Sequence, residues 1–157
     1  MVAKPARPSA AVPALKMPPS EVWKPVMSAW RMEDVNIPEI VEEVTAAFRS
    51  YETALTTNDV TALDALFWDS AYVIRYGATE NLHGIDEIRA FRQARSSSNL
   101  DRSLHRTVIT TFGRDFATAN TEFTRHATDR IGRQSHAWAR FADGWKIVAA
   151  HVSLMEA

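Results

Sequence analysis

The sequence predicts an α+β fold in which about three helices pack on one face of a curved antiparallel sheet. Helical periodicity occupies the chain up to about residue 95, and only a short hairpin pattern interrupts it. The remaining residues form long runs rich in Thr, Val, Ile and aromatic side chains, with turn residues between them. Helices followed by hairpin-linked strands are typical of α+β domains.

The N-terminal segment differs in composition from the rest of the chain. It is rich in Pro and Ala and carries scattered Lys and Arg, and its prolines exclude a continuous helix. We therefore predict a disordered or loosely docked tail over residues 1–35 and one folded domain over residues 36–157. Met32 stands just before the first strong helix signal and is an alternative start site to Met1.

The first element of the domain is predicted to be an amphipathic helix. Asn36 is its candidate N-cap, Pro38 lies in its first turn, and the pattern ends near Asn58. The apolar stripe recurs at spacings of three, four and seven residues. Its members are Ile40, Val44, Ala47, Phe48, Tyr51 and Leu55. The Tyr51 side chain is therefore expected to face the core rather than solvent.

Two shorter helices and six strands follow in the prediction. One helix starts after Asn58-Asp59, and another runs from Asp86 to Arg95, with the strand AYVIRYG and a short returning strand between them. The long strands are predicted at Ser103–Phe112, Phe116–His126, Ile131–Phe141 and Trp145–Leu154. Asp143-Gly144 is a strong hairpin signal between the last two strands.

The composition of the chain argues against several classes of function. The 157 residues suit one domain, and a net charge of −1 argues against a nucleic-acid binder, which needs a basic stripe. The chain has no cysteine, which excludes thiolate metal sites and cysteine nucleophiles. No apolar run approaches the roughly 20 residues of a membrane span, and the N-terminus lacks the apolar core of a secretory signal. We therefore expect a cytoplasmic protein that does not bind a membrane.

The histidines and glycines do not form a known ligand motif. The five histidines lie on separate predicted elements, and no two of them are spaced as H-x-x-x-H or H-x-H. The glycines form no phosphate-binding loop. We therefore expect no metal and no cofactor.

Seven segments in order carry a family resemblance. They are NIPEIVEEVTAAFRSYETALTTNDV, LDALFW, IRYG, ENLHGIDEIRAFR, RTVITTFGRDFATANTEF, RIGRQSHAW and GWKIVAAHVSLM, and together they span residues 36–155. This combination resembles the AtzH-like family of the SnoaL-like, or nuclear-transport-factor-like, superfamily. The resemblance implies a cone in which a bent sheet and its helices enclose a pocket. Proteins of the HpxZ group, assigned to oxalurate catabolism, belong to the same family.

The resemblance also implies an activity and a catalytic pair. The best-understood member of the family is a decarboxylating amidohydrolase of 1,3-dicarboxyurea, with a Tyr on the first helix and an Arg on the next strand as its proposed catalytic residues. Those positions correspond here to Tyr51 and Arg75. The resemblance therefore implies a metal-independent enzyme that cleaves C–N bonds of a small anionic ureide, without fixing the substrate.

Arg75 admits two interpretations from the residues alone. Alternation places it on one strand face with Val73 and Gly77, and an unpaired guanidinium buried among apolar residues is costly. It is therefore either in a salt bridge across the sheet, for example to Glu122 or Asp101, or it binds a substrate carboxylate through both guanidinium nitrogens.

The segment RQSHAW supplies two further candidates. On a strand, Gln134, His136 and Trp138 share one face, and by analogy with related cone domains we predict that this face lines the pocket. The Gln134 amide can both donate to and accept from a urea. His136 could act as a base near neutral pH. For both residues the alternative is an ordinary place in the sheet.

Other functions remain open at this point. Cone domains host unrelated enzymes, and most of these need a carboxylate base, which Asp64, Asp69 or Glu122 could supply only if they face inward. The main alternative is a non-catalytic ureide-binding or accessory protein of oxalurate or purine catabolism. In either case we expect a homodimer through the open sheet face, because an exposed apolar sheet face must be covered.

Overall fold

In the computed structural model, residues 31–156 are described, and the first thirty residues of the predicted tail lie outside them. The helices are α1 (Pro38–Thr56), α2 (Val60–Ala65) and α3 (Gly84–Ala94). The strands are β1 (Ile74–Tyr76), β2 (Asn81–His83), β3 (Ser103–Phe112), β4 (Phe116–Arg125), β5 (Thr128–Phe141) and β6 (Gly144–Leu154). Among residues 31–156, no helix is long and apolar enough to cross a bilayer.

The six strands form one sheet in the order β2-β1-β6-β5-β4-β3. The long strands β3 to β6 make a continuous antiparallel meander, and β1 joins it parallel to β6. The predicted α+β architecture, with three helices on one face of a curved sheet, is confirmed. The parallel pairing of β1 is the one feature of the sheet that the order of elements did not indicate.

The core lies between α1 and the inner face of the meander. Its helical part is the predicted stripe, including Ile40, Val44 and Tyr51, and its sheet part includes the fully buried Trp138 and Ile147. Full burial of each large side chain stabilises the fold by about 1.5–3 kcal/mol. The Tyr51 side chain therefore belongs to the apolar layer that attaches α1 to the sheet.

The predicted N-cap of α1 is wrong by one residue. Ile37 occupies the N-cap position, and Asn36 has a φ of 58°, which is outside the extended conformation of an N-cap. Asn36 instead binds the neighbouring strand: its Oδ1 accepts from the Thr111 N–H at 3.0 Å, and its own N–H donates to the Thr111 carbonyl at 3.1 Å. Asn36 therefore anchors the start of α1 to β3.

The strand β1 is shorter than the predicted segment AYVIRYG. Only Ile74–Tyr76 are paired, and Ala71 and Tyr72 form a turn in which the Ser70 hydroxyl accepts from the Tyr72 N–H at 3.1 Å. Side-chain bonds of this kind compete with strand pairing. The turn starts the strand at Ile74 and leaves Arg75 at its centre.

Candidate active site

One row of residues across the sheet forms the floor of the interior. The register aligns Ala119 of β4, His136 of β5, Ala150 of β6 and Arg75 of β1. Strand spacing places Arg75 and His136 about 10 Å apart, on either side of Ala150. The inner face of β1 is therefore the face of Arg75, which alternation alone could not decide.

Tyr51 covers this floor from α1. Its side chain is 4% exposed, and its ring meets the His136 ring edge-on at a centroid distance of 4.6 Å. Phe67 lies on another side, at 6.5 Å between ring centroids. Within residues 31–156 the Tyr51 hydroxyl makes no hydrogen bond. Its ring position is therefore fixed by packing, and no hydrogen bond among the described residues holds its hydroxyl.

Arg75 is ion-paired with Glu80 and lies over an aromatic ring. In the turn after β1, the Gly77 N–H donates to the Glu80 carbonyl at 2.8 Å. This turn brings the Glu80 side chain back to Arg75, and the two side chains form an ion pair. A Cβ at Gly77 would lie 1.8 Å from the Glu80 carboxylate, so only glycine allows this approach. The Arg75 guanidinium carbon stands 5.0 Å above the Phe91 ring of α3. This explains the motif IRYG in physical terms.

The predicted partners of Arg75 across the sheet are wrong. Glu122 is partly exposed and its nearest cation is Arg106, at 3.9 Å, while Asp101 is exposed and pairs with no described cation. The partner of Arg75 is Glu80 instead, because this carboxylate is five residues along the chain and a tight turn brings it to Arg75 without crossing the sheet.

Glu80 carries the charge that balances Arg75. Burial raises the pKa of Glu80, but hydrogen bonds from Arg75 and Thr79 outweigh burial and hold its pKa below the usual value. The carboxylate is therefore ionised at neutral pH.

His136 is a neutral imidazole over the whole physiological range. It is 2% exposed, and burial, aided by the positive charges of Arg102, Arg75 and Arg92, lowers its pKa to about 3. A base near neutral pH needs a pKa close to 7, so this lowered pKa does not favour the role of His136 as a base. Both of its ring nitrogens lack a hydrogen-bond partner among the described residues. A buried imidazole with two free nitrogens can donate to a ligand with one nitrogen and accept with the other.

Gln134 belongs to a buried polar network beside Tyr51. Arg102 donates two hydrogen bonds to the Glu52 carboxylate, one from Nε at 3.0 Å and one from Nη2. The same Nη2 also donates to Gln134 Oε1 at 3.0 Å. The Gln134 amide nitrogen donates to Glu52 at 3.3 Å. Both ends of the amide are thus engaged, so Gln134 holds Glu52, the neighbour of Tyr51, in place.

Three more arginines surround Tyr51. Arg92 is buried, pairs with Asp64 at 2.6 Å and lies 4.2 Å above the Phe67 ring. Arg92, Arg95 and Arg125 all lie within electrostatic range of the Tyr51 hydroxyl. Arg92 is balanced by its carboxylate partner, whereas Arg95 and Arg125 are half-buried and make no ion pair within residues 31–156.

No group of three potential ligand residues in the described part of the chain is arranged to hold a metal ion. The interior is built from guanidinium groups, carboxylates, a phenol and an imidazole. Its charges favour an anion over a cation.

The profile of the AtzH-like family matches residues 33–157. The chain belongs to the AtzH-like family. No curated protein sequence matches it. The crystal structure of a protein of unknown function from the DUF3225 family of Pectobacterium atrosepticum SCRI1043 is 57% identical, over 81% of this chain and 99% of that chain, with a TM-score of 0.80. A cystatin-like fold protein of Burkholderia xenovorans LB400 is 55% identical, over 78% of this chain and 97% of that chain, with a TM-score of 0.76.

More distant structures show how this AtzH-like chain is folded. An NTF2-like protein of unknown function from Shewanella oneidensis MR-1 is 16% identical, over 71% of this chain and 97% of that chain, with a TM-score of 0.60. At that identity the likeness shows the cone fold alone.

The candidate carboxylate bases do not fill a catalytic place in this AtzH-like interior. Asp64 is ion-paired with Arg92, the Asp69 side chain is 75% exposed, and the Glu122 side chain is 41% exposed. A pocket base of the kind used by dehydratases and isomerases on this fold is therefore not supplied by these three carboxylates.

Sequence reasoning missed the residues that complete the site of this AtzH-like protein. Arg92 had a usable signal, because it continues the apolar stripe of Ile85 and Ile88 on α3 at helical spacing. An arginine on an apolar stripe must be paired inside the fold. Arg102 and Arg125 had no such signal, since one precedes a strand and the other ends one.

Proposed function

We propose that this AtzH-like protein is a decarboxylating amidohydrolase that acts on a small carboxylated urea or ureide in nitrogen catabolism, with Tyr51 and Arg75 as the catalytic pair. The observation that carries the proposal is the Tyr51 hydroxyl beside His136, in an interior rich in guanidinium groups. Neither this hydroxyl nor either His136 ring nitrogen has a hydrogen-bond partner among residues 31–156. Such an interior suits a small anion with polar groups on its other atoms.

Arg75 binds a substrate carboxylate in this scheme. Its guanidinium is held by the Phe91 ring and by Glu80 at the end of a short strand, so little side-chain entropy is lost on binding. A substrate carboxylate either joins Glu80 on the other edge of the guanidinium or displaces it. Binding therefore fixes the carbamate end of the substrate near the Tyr51 hydroxyl.

Tyr51 supplies the proton for C–N cleavage. The substrate R–NH–COO⁻ takes a proton from the Tyr51 hydroxyl on its nitrogen, the C–N bond breaks with its electron pair going to nitrogen, and carbon dioxide leaves. Water then returns a proton to Tyr51, so that R–NH–COO⁻ and one proton become R–NH₂ and carbon dioxide. Arg92, Arg95 and Arg125 stabilise the negative charge that develops on the phenol oxygen.

His136 orients the urea group. Its neutral ring donates to the urea carbonyl through one nitrogen and accepts a urea N–H through the other. Because the ring stays uncharged, it adds no further positive charge to the interior and does not compete with Arg75 for the carboxylate.

The test is turnover on a panel of small ureides by the full chain after dialysis against EDTA. Carbon dioxide release is measured with 1,3-dicarboxyurea and related N-carboxylated ureas, and oxalurate serves as a ureide that this step does not cleave. The step forms no ammonia, so ammonia release would indicate cleavage of a different C–N bond. Tyr51→Phe keeps the ring packing and is expected to lower kcat about 100-fold or more, because it removes the proton donor. Arg75→Ala is expected to raise KM and lower kcat together, because it removes orientation as well as binding.

Two exposed residues serve as matched controls. Tyr72→Phe and Arg49→Ala make the same chemical changes at exposed positions and are expected to keep full activity. Full activity of the Tyr51→Phe and Arg75→Ala variants would contradict the proposal. Saturable binding of the panel without turnover, lost in Arg75→Ala, would favour the ureide-binding alternative.

We further propose that two copies of the chain pair through the open face of the sheet. The row of this face at the middle of the meander holds no Asp, Glu, Lys or Arg. The register aligns it as Val108, Asn120, Ser135, His151 and Tyr76. A row of this kind can face its own copy across a two-fold axis without placing like charges together.

A further inference from the structure

The Glu80 carboxylate is tied to its own turn as well as to Arg75. Its Oε1 accepts a hydrogen bond from Arg75 Nη1, while its Oε2 accepts from the Thr79 hydroxyl at 2.9 Å and from the Thr79 N–H at 3.3 Å. The Glu80 carbonyl is held by the Gly77 N–H at 2.8 Å. Because both carboxylate oxygens and the backbone of Glu80 are engaged, we expect a ligand of Arg75 to bind beside this carboxylate rather than to replace it.

One edge of the Arg75 guanidinium has no protein partner. Only Nη1 donates to Glu80, and neither Nε nor Nη2 makes a hydrogen bond within residues 31–156. The side chain is 14% exposed, and neither of these two nitrogens is fully buried. The Nε and Nη2 groups of an arginine form the fork that binds both oxygens of a carboxylate. This free edge is therefore the place for a substrate carboxylate.

Glu80 keeps its negative charge next to that place. Burial opposes the charged form, but the hydrogen bonds from Arg75 and Thr79 outweigh it and keep the pKa of this carboxyl below its usual value. A carboxylate on the free edge of Arg75 then shares one guanidinium with Glu80. Two carboxylates around one cation repel each other, and in a half-buried site water screens this repulsion less than at a surface.

We infer that Glu80 stays on Arg75 during the reaction and repels the substrate carboxylate beside it, which favours the loss of that carboxylate as carbon dioxide. This inference rests on the proposed function. In that step the Tyr51 proton goes to the substrate nitrogen, the electron pair of the C–N bond goes to the same nitrogen, and the charge of the carboxylate disappears as carbon dioxide forms. The repulsion therefore raises the energy of the bound substrate more than that of the transition state, and kcat increases.

The first test measures binding without turnover, by titration calorimetry of the full chain. The probe is N-carbamoylglycine, a ureide whose carboxylate is attached through a methylene group and is not lost in this step. Glu80→Gln keeps an acceptor for Arg75 but removes the charge, and it is expected to bind the probe about tenfold or more tightly than the parent chain. Glu80→Asp keeps the charge and should gain no affinity. Glu42→Gln makes the same change as Glu80→Gln at an exposed position and should bind as the parent does.

The second test measures turnover of 1,3-dicarboxyurea. Glu80→Gln is expected to lower KM and kcat together, because removing the repulsion stabilises the bound substrate more than the transition state. If Glu80 only held Arg75 in place, its replacement would raise KM instead. Equal or weaker binding of the probe by Glu80→Gln, or an unchanged kcat, would overturn the inference even if the enzyme turns over ureides. Tighter binding in a chain without turnover would support the repulsion and contradict the proposed activity.

Discussion

At the scale of the residue, the fold removes the charge from His136 and leaves its hydrogen-bonding capacity. Tyr51 covers one side of the ring, the sheet covers another, and three arginines add a repulsive field. Either burial or the field alone would favour the neutral ring, and both act in the same direction. The same environment that makes His136 a poor base leaves a neutral ring whose two nitrogens have no partner among the described residues.

The buried neutral state of His136 also predicts a pH dependence of stability. The unfolded chain protonates this histidine below about pH 6.5, whereas the native pKa is about 3. Between these values the unfolded state binds one proton more, so stability rises with pH and falls on acidification. The contribution is about 1.4 kcal/mol per pH unit, and we expect a loss of about 2 kcal/mol between pH 6.5 and pH 5.

Urea unfolding at a series of pH values between about 7 and about 5 measures this contribution. His136→Gln keeps a neutral polar side chain at the position and is expected to lose that part of the slope, whatever its absolute stability. An equal slope in the variant and the parent chain would show that the native ring takes up a proton in this range.

At the scale of the element, the site depends on how α1 is held against the sheet. Asn36 fixes the start of the helix to β3, and the Glu52–Arg102–Gln134 network fixes its second half to β5. Tyr51 lies next to Glu52, inside the second of these attachments. The position of its hydroxyl is therefore set by polar contacts on one side and by apolar packing on the other.

Asn36 offers a test of the first attachment. Asn36→Gly keeps the left-handed backbone but removes the acceptor of the Thr111 N–H, and we expect it to cost about 1 kcal/mol. Asn36→Ala removes the same acceptor and adds strain at positive φ, so it should cost about 1 kcal/mol more. Urea unfolding of the two variants gives the order of stability. Equal stability of the Ala variant and the parent chain would exclude a role of this residue as an anchor.

The same elements show what the sequence could predict. The stripe of α1 placed Tyr51 on the inside, and the alternation of β5 placed Gln134 and His136 on one face, which the analogy with related cone domains identified as the inner one. Periodicity carries no information on ion pairs between elements, so the partners of Arg75 and of Gln134 could not be predicted. The turn that brings Glu80 to Arg75 depends on a close approach at Gly77, which becomes visible only in three dimensions.

At the scale of the whole molecule, the sheet has two faces of different character. Its inner face is covered by helices and holds the polar interior, while the outer face of the long strands is open in the single chain. Four long strands at their usual spacing present roughly 600 Å² on that face. A standard protein interface takes about 800 Å² from each partner, so the open face has nearly the size that a stable dimer needs.

The expected result is a dimer with twice the 17.6 kDa mass of the chain by light scattering. Two apolar side chains of the open face, Val108 at 57% exposure and Tyr76 at 37%, would be buried on association. Ser135 lies midway between them in the aligned row. Ser135→Arg places a long charged side chain at the centre of the interface in both copies, so the variant should elute as a monomer. Ser50→Arg, on the exposed side of α1, should remain a dimer. A parent chain that stays monomeric at high concentration, or a dimer that persists in Ser135→Arg, would show that this face does not pair with itself.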